Sequence, residues 1–278
     1  MTVNETFLIY FSPTSTSKHV GESIVQGIGQ KNVNLLDITL NSTDDITLPA
    51  SALAVIVVPV YGGRVAPLAM DRLQKIHGTD TPTVLVVVYG NRDYESSLSE
   101  LNSYAVIHGL KSIAGATFIG EHSYSTEKYP IAKGRPDKTD LNIAEMFGKR
   151  VRSKIEEAIR NDALSPVNVE DIRRPHQSFL STFRFVKRVL KFRKSGVPLP
   201  QTPVLMDESL CNHCGVCSCR CPIGAITKGN EGHADADKCI KCNACVKLCP
   251  KQIRVYDTPF SAILSSCFKK QKLPQTIL

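Results

Sequence analysis

Five segments in the first half of the chain are nearly unbroken apolar runs: "ETFLIYF" from Glu5, "VNLLDI" from Val33, "ALAVIVVPV" from Ala52, "TVLVVVYG" from Thr83 and "GATFIGE" from Gly115. Runs of this kind, rich in Val, Ile and Leu, mark strands buried on both faces, as in a parallel sheet. Between them, the segments near 16–29, 65–77, 94–108 and 139–160 space their apolar residues at helical intervals. This alternation predicts a doubly wound α/β domain over residues 1–162. Its ligand is expected at the C-terminal ends of the strands. No apolar run approaches the length of a membrane span, and the start of the chain has no basic segment leading into a long apolar one. The expectation is a cytoplasmic protein without a transmembrane segment.

The loops after the first, third and fourth strands are unusual. "FSPTSTSKHV" offers the hydroxyls of Ser12, Thr14, Ser15, Thr16 and Ser17 at the start of a helix. Helix N-terminal amides favour an anion, and hydroxyl donors complete a shell around phosphate oxygens. No Gly-Lys-Ser/Thr closes the loop, so it is not a P-loop. The plainer alternative is a Ser/Thr-rich N-cap. "PVYGGRVAP" sets the aromatic ring of Tyr61 beside the permissive backbone of Gly62 and Gly63, and "YGNRDYESS" repeats the recipe with Gly90, Asn91, Arg92 and Tyr94. Aromatic faces and adaptable backbone opposite a phosphate cradle suit a flavin.

In fold pattern and in these three loops, residues 1–162 resemble a flavodoxin. The resemblance implies a five-stranded sheet in the order 2-1-3-4-5 and bound FMN. Ser12, Thr14 and Ser17 match the family's phosphate loop, whereas Ser15 stands where glycine is usual. Arg64 and Arg92 flank a site that flavodoxins generally surround with acids, and nearby cations favour the reduced, anionic flavin.

Nine of the ten cysteines lie between Cys211 and Cys249. A chain of 278 residues buries enough apolar surface to fold without disulfides, and a reducing cytosol favours thiolate–metal bonds. Cys211, Cys214, Cys217 and Cys221 follow C-x2-C-x2-C-x3-C-P, and Cys239, Cys242, Cys245 and Cys249 repeat it 28 residues later (239 against 211). This is the signature of a two-cluster ferredoxin, in which the fourth cysteine of each motif ligates the other cluster. By that rule Cys211, Cys214, Cys217 and Cys249 hold one [4Fe-4S] cluster, and Cys239, Cys242, Cys245 and Cys221 hold the second. Zinc is the alternative. It takes four ligands from two separated pairs and explains neither the triple spacing nor the repeat. Cys219 reads as a buried inert thiol and Cys267 as a free one.

Residues 163–203 connect the modules. Phe179, Phe183, Val186 and Leu190 share one helical face, and Arg184, Lys187, Arg188, Lys191 and Lys194 lie largely on the other. The expectation is a bridging helix with its apolar face buried between two domains; docking of an acidic partner and peripheral membrane contact through 176–194 are the less favoured readings. The formal charge of +8 falls to about +2 once two clusters and an FMN phosphate are counted. Nucleic acid is therefore not an expected partner.

The expected organisation is an FMN domain (1–162), a basic linker (163–203), a small α+β two-cluster ferredoxin domain (204–258) and a tail (259–278). With "PVYGGRVAP", "VYGNRDY" and "GRPD" at 134–137, the whole resembles the flavodoxin-ferredoxin fusion proteins of anaerobes. That resemblance implies an electron carrier with redox protein partners. The competing reading is a reductase of an organic or quinone substrate, with His122, Tyr124 and Tyr129 lining its pocket.

Overall fold

The computed structural model describes residues 3–278 and divides into two compact units that interleave in sequence. The first runs to Gly120 and adds Gly134–Pro175 and Lys272–Leu278; the second comprises Glu121–Lys133 and His176–Gln271.

The first unit follows the order β1 (Glu5–Tyr10), α1 (Thr16–Ile28), β2 (Val33–Asp37), β3 (Ile46–Leu48), β4 (Ala52–Tyr61), β5 (Arg64–Val65), α2 (Pro67–Leu73), β6 (Ile76–Gly78), β7 (Thr81–Tyr89), α3 (Ser97–Ile107), β8 (Leu110–Ile119) and α4 (Lys138–Asn161). Its parallel strands stand in the order β2-β1-β4-β7-β8. Counted by the five apolar runs, this is the expected 2-1-3-4-5. On β4, Leu53, Val55 and Val57 join the core beneath α1 and α4, while the alternate residues Ala54, Ile56 and Val58 are equally buried on the opposite face. Both faces are therefore covered, which is why the sequence runs show no alternation.

Two glycines set how closely α1 and α4 approach. A Cβ on Gly27 would meet the Glu145 carbonyl at 1.9 Å, and one on Gly148 would meet the Ile24 carbonyl at 2.0 Å. The start of α4 is fixed by a capping box: the Asp137 carboxylate accepts from the Thr139 and Asp140 amides, and Asp140 accepts from the Asp137 amide. Arg135, next to the cis Arg135–Pro136 peptide, forms a buried ion pair with Asp140. The end of the chain returns as β11 (Gln275–Ile277), antiparallel to β8, so residues expected to be a tail complete the sheet.

The second unit contains α5 (Phe179–Lys194), β9 (Val204–Leu205), α6 (Val216–Cys219), α7 (Ala244–Lys247), β10 (Arg254–Val255) and α8 (Pro259–Cys267). β9 and β10 pair antiparallel. Cys267 is buried beside Ile263, Leu264 and Phe268, with Ile131 from the segment after β8 completing this small core. Phe185 and Phe192 of α5 pack their rings against Phe268 and Phe260. The face of α5 expected to be covered, Phe179, Phe183, Val186 and Leu190, is exposed. Among the described residues no helix is long and apolar enough to cross a membrane.

Candidate redox centres

The duplication in the cysteine-rich region is visible in the backbone. His213, Gly215 and Gly224 have positive φ, and so do Lys241, Asn243 and Gln252, each 28 residues later (241 against 213). The left-handed turns let each loop fold its three thiols toward one centre. They recur even where Asn and Gln replace glycine, a conformation that Asn tolerates and Gln adopts at some cost. The α6 and α7 turns occupy equivalent places in the two repeats.

Each repeat borders a small hollow. The first is walled by Cys211, Cys214 and Cys217 together with Cys249 of the other repeat. The second is walled by Cys239, Cys242 and Cys245 together with Cys221. The fourth thiol thus crosses over in both cases. Among the described residues, no three His, Cys, Asp or Glu side chains converge closely enough to hold a single metal ion. The donor set at each hollow is four thiols, three at triple spacing and one from the other repeat, which fits a cubane better than zinc. Cys219 is exposed and lines neither hollow. The expectation that it is buried is therefore wrong: it sits on the outward side of α6.

Burial pushes the Cys242 and Cys245 thiols up to about 12, so these side chains are neutral unless a cation stabilises the thiolates. Opposing burial at Cys217 and Cys245 is Arg254, which pulls both thiols down. Arg254 is only 2% exposed and borders the first hollow, and its Nη1 donates to the Pro203 carbonyl at 3.1 Å. A further bond goes to the Glu231 carbonyl, and among the described residues Arg254 has no carboxylate partner. Cys221 Sγ accepts from the Ala225 amide at 3.2 Å. Sequence patterning missed Arg254, because an arginine in the short segment "RVYD" signals an exposed strand.

The segment that follows β8 is anchored on the second repeat. Lys247 Nζ donates to Glu121 Oε1 at 2.6 Å and to the Ser125 carbonyl at 2.8 Å, while Asn243 Nδ2 donates to the Ser123 carbonyl at 2.9 Å. Tyr124 packs on Tyr256, and its carbonyl accepts from Ser261 Oγ at 2.8 Å. His122 Nδ1 accepts from the Tyr124 amide, and Tyr129 closes a turn with Thr126. These residues, expected around a substrate in the reductase reading, tie the segment down.

In the first unit, the hydroxyl loop, the Tyr61 loop and the Gly90 loop follow β1, β4 and β7, which are neighbours at the point where the strand order reverses. Ser15 has φ 63° and no capping bond from its side chain, which places a non-glycine residue in the left-handed region. Ser12 Oγ accepts from the Lys18 amide at 3.0 Å, and Thr14 and Thr16 share a hydroxyl contact at 3.1 Å. Ser17 is buried. The first-turn amides of Thr16 and Ser17 have no intrahelical acceptor and suit an anion.

The other two loops touch: the Ser96 amide donates to the Gly63 carbonyl at 3.1 Å. Gly62 and Gly63 have φ of 61° and 84°, and a Cβ on Gly63 would collide with Glu95. Tyr61 and Gly90 are half-buried. Asn91 and Tyr94 do other work. Asn91, buried at φ 64°, accepts from the Lys272 amide at 2.9 Å, and the Tyr94 hydroxyl donates to the Ile172 carbonyl at 2.9 Å. Asp93 between them pairs with Arg174. This loop clasps two distant stretches of the chain to the sheet.

The two arginines are not free cations. Arg64 forms a bidentate pair with Glu100, Nε–Oε2 2.9 Å and Nη2–Oε1 2.7 Å, and Glu100 also accepts from the Val65 amide. Arg92 pairs with Glu95. The expectation of a cationic rim is corrected accordingly, because each charge is balanced locally. The hydroxyl loop presents donors of the kind a phosphate takes, and Tyr61, Gly62, Gly63 and Gly90 stand at the neighbouring strand ends.

Comparison with known proteins bears on the second unit. A family model described as a 4Fe-4S binding domain matches residues 204–227 and again 233–254. The chain joins a doubly wound α/β fold with parallel strands in the order 2-1-3-4-5 to a region that matches a 4Fe-4S binding domain. A curated relative, an uncharacterized ferredoxin of Methanocaldococcus jannaschii, is 42% identical over 53 residues, 18% of this chain and 30% of that protein. The chain therefore spans less than a third of that relative's length. Similar solved structures include a flavodoxin from the domain Archaea (11% identity, 55% of this chain and 99% of that one, TM-score 0.34). Another is a Streptococcus pneumoniae flavodoxin (14%, 54% and 98%, TM-score 0.38). A third is an FMN-dependent NADH-azoreductase from Bacillus anthracis in complex with FMN (14%, 55% and 99%, TM-score 0.37). The assignment of the fold here rests on the strand order.

Proposed function

We propose that the protein relays electrons between FMN and two [4Fe-4S] clusters and passes them to protein partners. The observation that carries this reading is the crossed arrangement of eight thiols around two hollows, adjoining each other on one short stretch of chain. When bound, clusters pass single electrons and FMN holds one or two, so such a chain gathers electrons singly and delivers them in pairs, or the reverse. The chain's own contribution is positional. The Ser/Thr loop binds phosphate, the glycine backbone at 62–63 adapts to a ring, and Arg254 supplies a fixed positive charge beside the first hollow. A reductase with its own organic or quinone substrate is the competing reading, and turnover of NAD(P)H or a quinone by the purified protein would favour it.

The reading is tested by partial photoreduction of the anaerobically purified protein. Electrons should redistribute between flavin and cluster absorbance at a rate independent of protein concentration. A rate proportional to concentration, or no exchange at all, contradicts a relay within one chain.

A further inference from the structure

The helix α5 carries two apolar faces, and only one is used. Phe185, Val189 and Phe192 pack on α8 and its surroundings. The second face, Phe179, Phe183, Val186 and Leu190, follows the spacing i, i+4, i+7, i+11, and its residues are 81, 57, 47 and 49% exposed. Phe179 and Phe183 stack on each other in solvent, 6.4 Å between ring centroids. An uncovered stripe of large apolar side chains on a sixteen-residue helix marks an interaction site.

The flank of the stripe identifies the partner. At 100° per residue, Arg184, Lys187, Lys191 and Lys194 form a row beside the apolar face, and Arg193 lies on its other edge. None of these five cations has a recorded carboxylate partner among the described residues, and α5 contains no acid. Long cationic side chains beside a strip of Phe, Val and Leu let the apolar groups enter an acyl boundary while the charges reach outward to headgroups. A protein groove would cover the apolar strip equally well, but it gains nothing from a one-sided row of lysines unless it is acidic. A sheet of anionic headgroups satisfies the whole row at once.

We infer that α5 is a peripheral docking helix for anionic phospholipid surfaces, which holds the redox unit against a membrane without crossing it. This goes beyond the electron relay and stands independently of it.

The test is sedimentation of the cluster-loaded protein with vesicles of phosphatidylcholine alone and of phosphatidylcholine with a third phosphatidylglycerol. The proposal predicts binding at least about tenfold tighter to the anionic vesicles, weakened by added salt. Two variants change exposed residues and leave folding and iron content intact: Phe179→Ser with Phe183→Ser, and Lys187→Glu with Lys191→Glu. Each should lower binding by about tenfold or more. No binding of the unmodified protein, equal binding to both compositions, or retention of binding in both variants overturns the proposal. So does a concentration-dependent dimer that the Phe variant abolishes, which would assign the stripe to a second copy.

Discussion

At the residue scale, the central distinction is between thiols that face a hollow and those that do not. Cys249→Ser removes a wall of the first hollow and should cost one cluster, seen as a fall from about eight irons per chain to about four. Cys219→Ser should leave iron content and cluster spectra unchanged. If Cys219→Ser loses iron and Cys249→Ser does not, the crossed assignment is wrong. Arg254, buried with no carboxylate partner among the described residues, favours the more negative, reduced form of any cluster beside it. Arg254→Met should lower the reduction potential of at least one cluster by tens of millivolts, on the order expected for one nearby charge, as read by EPR-monitored titration. Ser15→Gly removes a left-handed serine and should add about 1 kcal/mol to the stability of the first unit in urea unfolding.

The Arg64–Glu100 pair supplies a pH dependence. The Arg64 guanidinium holds the Glu100 carboxyl below its usual range. A depressed folded-state value means that the contribution is present above the unfolded pKa of about 4.3 and is lost as pH falls through the folded value. The stability difference between the native protein and Glu100→Gln should therefore shrink below pH 4 or so. A difference that persists unchanged into acid would show that the pair does not anchor the hairpin at Gly62–Gly63.

At the scale of elements, two close approaches dominate. Gly27→Ala forces α1 away from the backbone of α4 and should destabilise the first unit by about 1–3 kcal/mol. Arg135→Met leaves Asp140, 1% exposed, as an unpaired buried charge and should cost about 3 kcal/mol. Pairing it with Asp140→Asn should restore much of the loss, and both are measurable by thermal unfolding. The five long parallel strands are legible in the sequence, because apolar runs buried on both faces leave a continuous pattern, whereas the short strands β3, β5, β6 and β11 leave none. Cysteine spacing alone predicts the crossed sets, and each predicted set lines one hollow. What was not legible depended on contacts between distant positions. Asn91 and Tyr94 looked like ring contacts because their partners, Lys272 and Ile172, lie far along the chain. Glu100 and Glu95 neutralise two arginines that appear unopposed in one dimension. On α5 the packed face, Phe185, Val189 and Phe192, is shorter than the stripe Phe179, Phe183, Val186 and Leu190, so the longer stripe looked like the buried one.

At the scale of the whole molecule, the two units differ in what holds them together. The first has a continuous core of strand and helix residues. The cysteine-rich region has only a small apolar cluster around Ile226, Ala234 and Cys245, so metal binding supplies much of its folding free energy. Removing iron should abolish hydrogen-exchange protection over 204–258 while the strands of the first unit stay protected; equal protection with and without iron would show that the region folds unaided. The central claim is tested most directly by the content of iron, sulfide, zinc and flavin in protein purified without oxygen. The account predicts about eight irons, about eight sulfides and one FMN per chain, with no zinc. Zinc in place of iron would contradict the cluster assignment, and eight irons with no flavin even after incubation with FMN would contradict the flavin site.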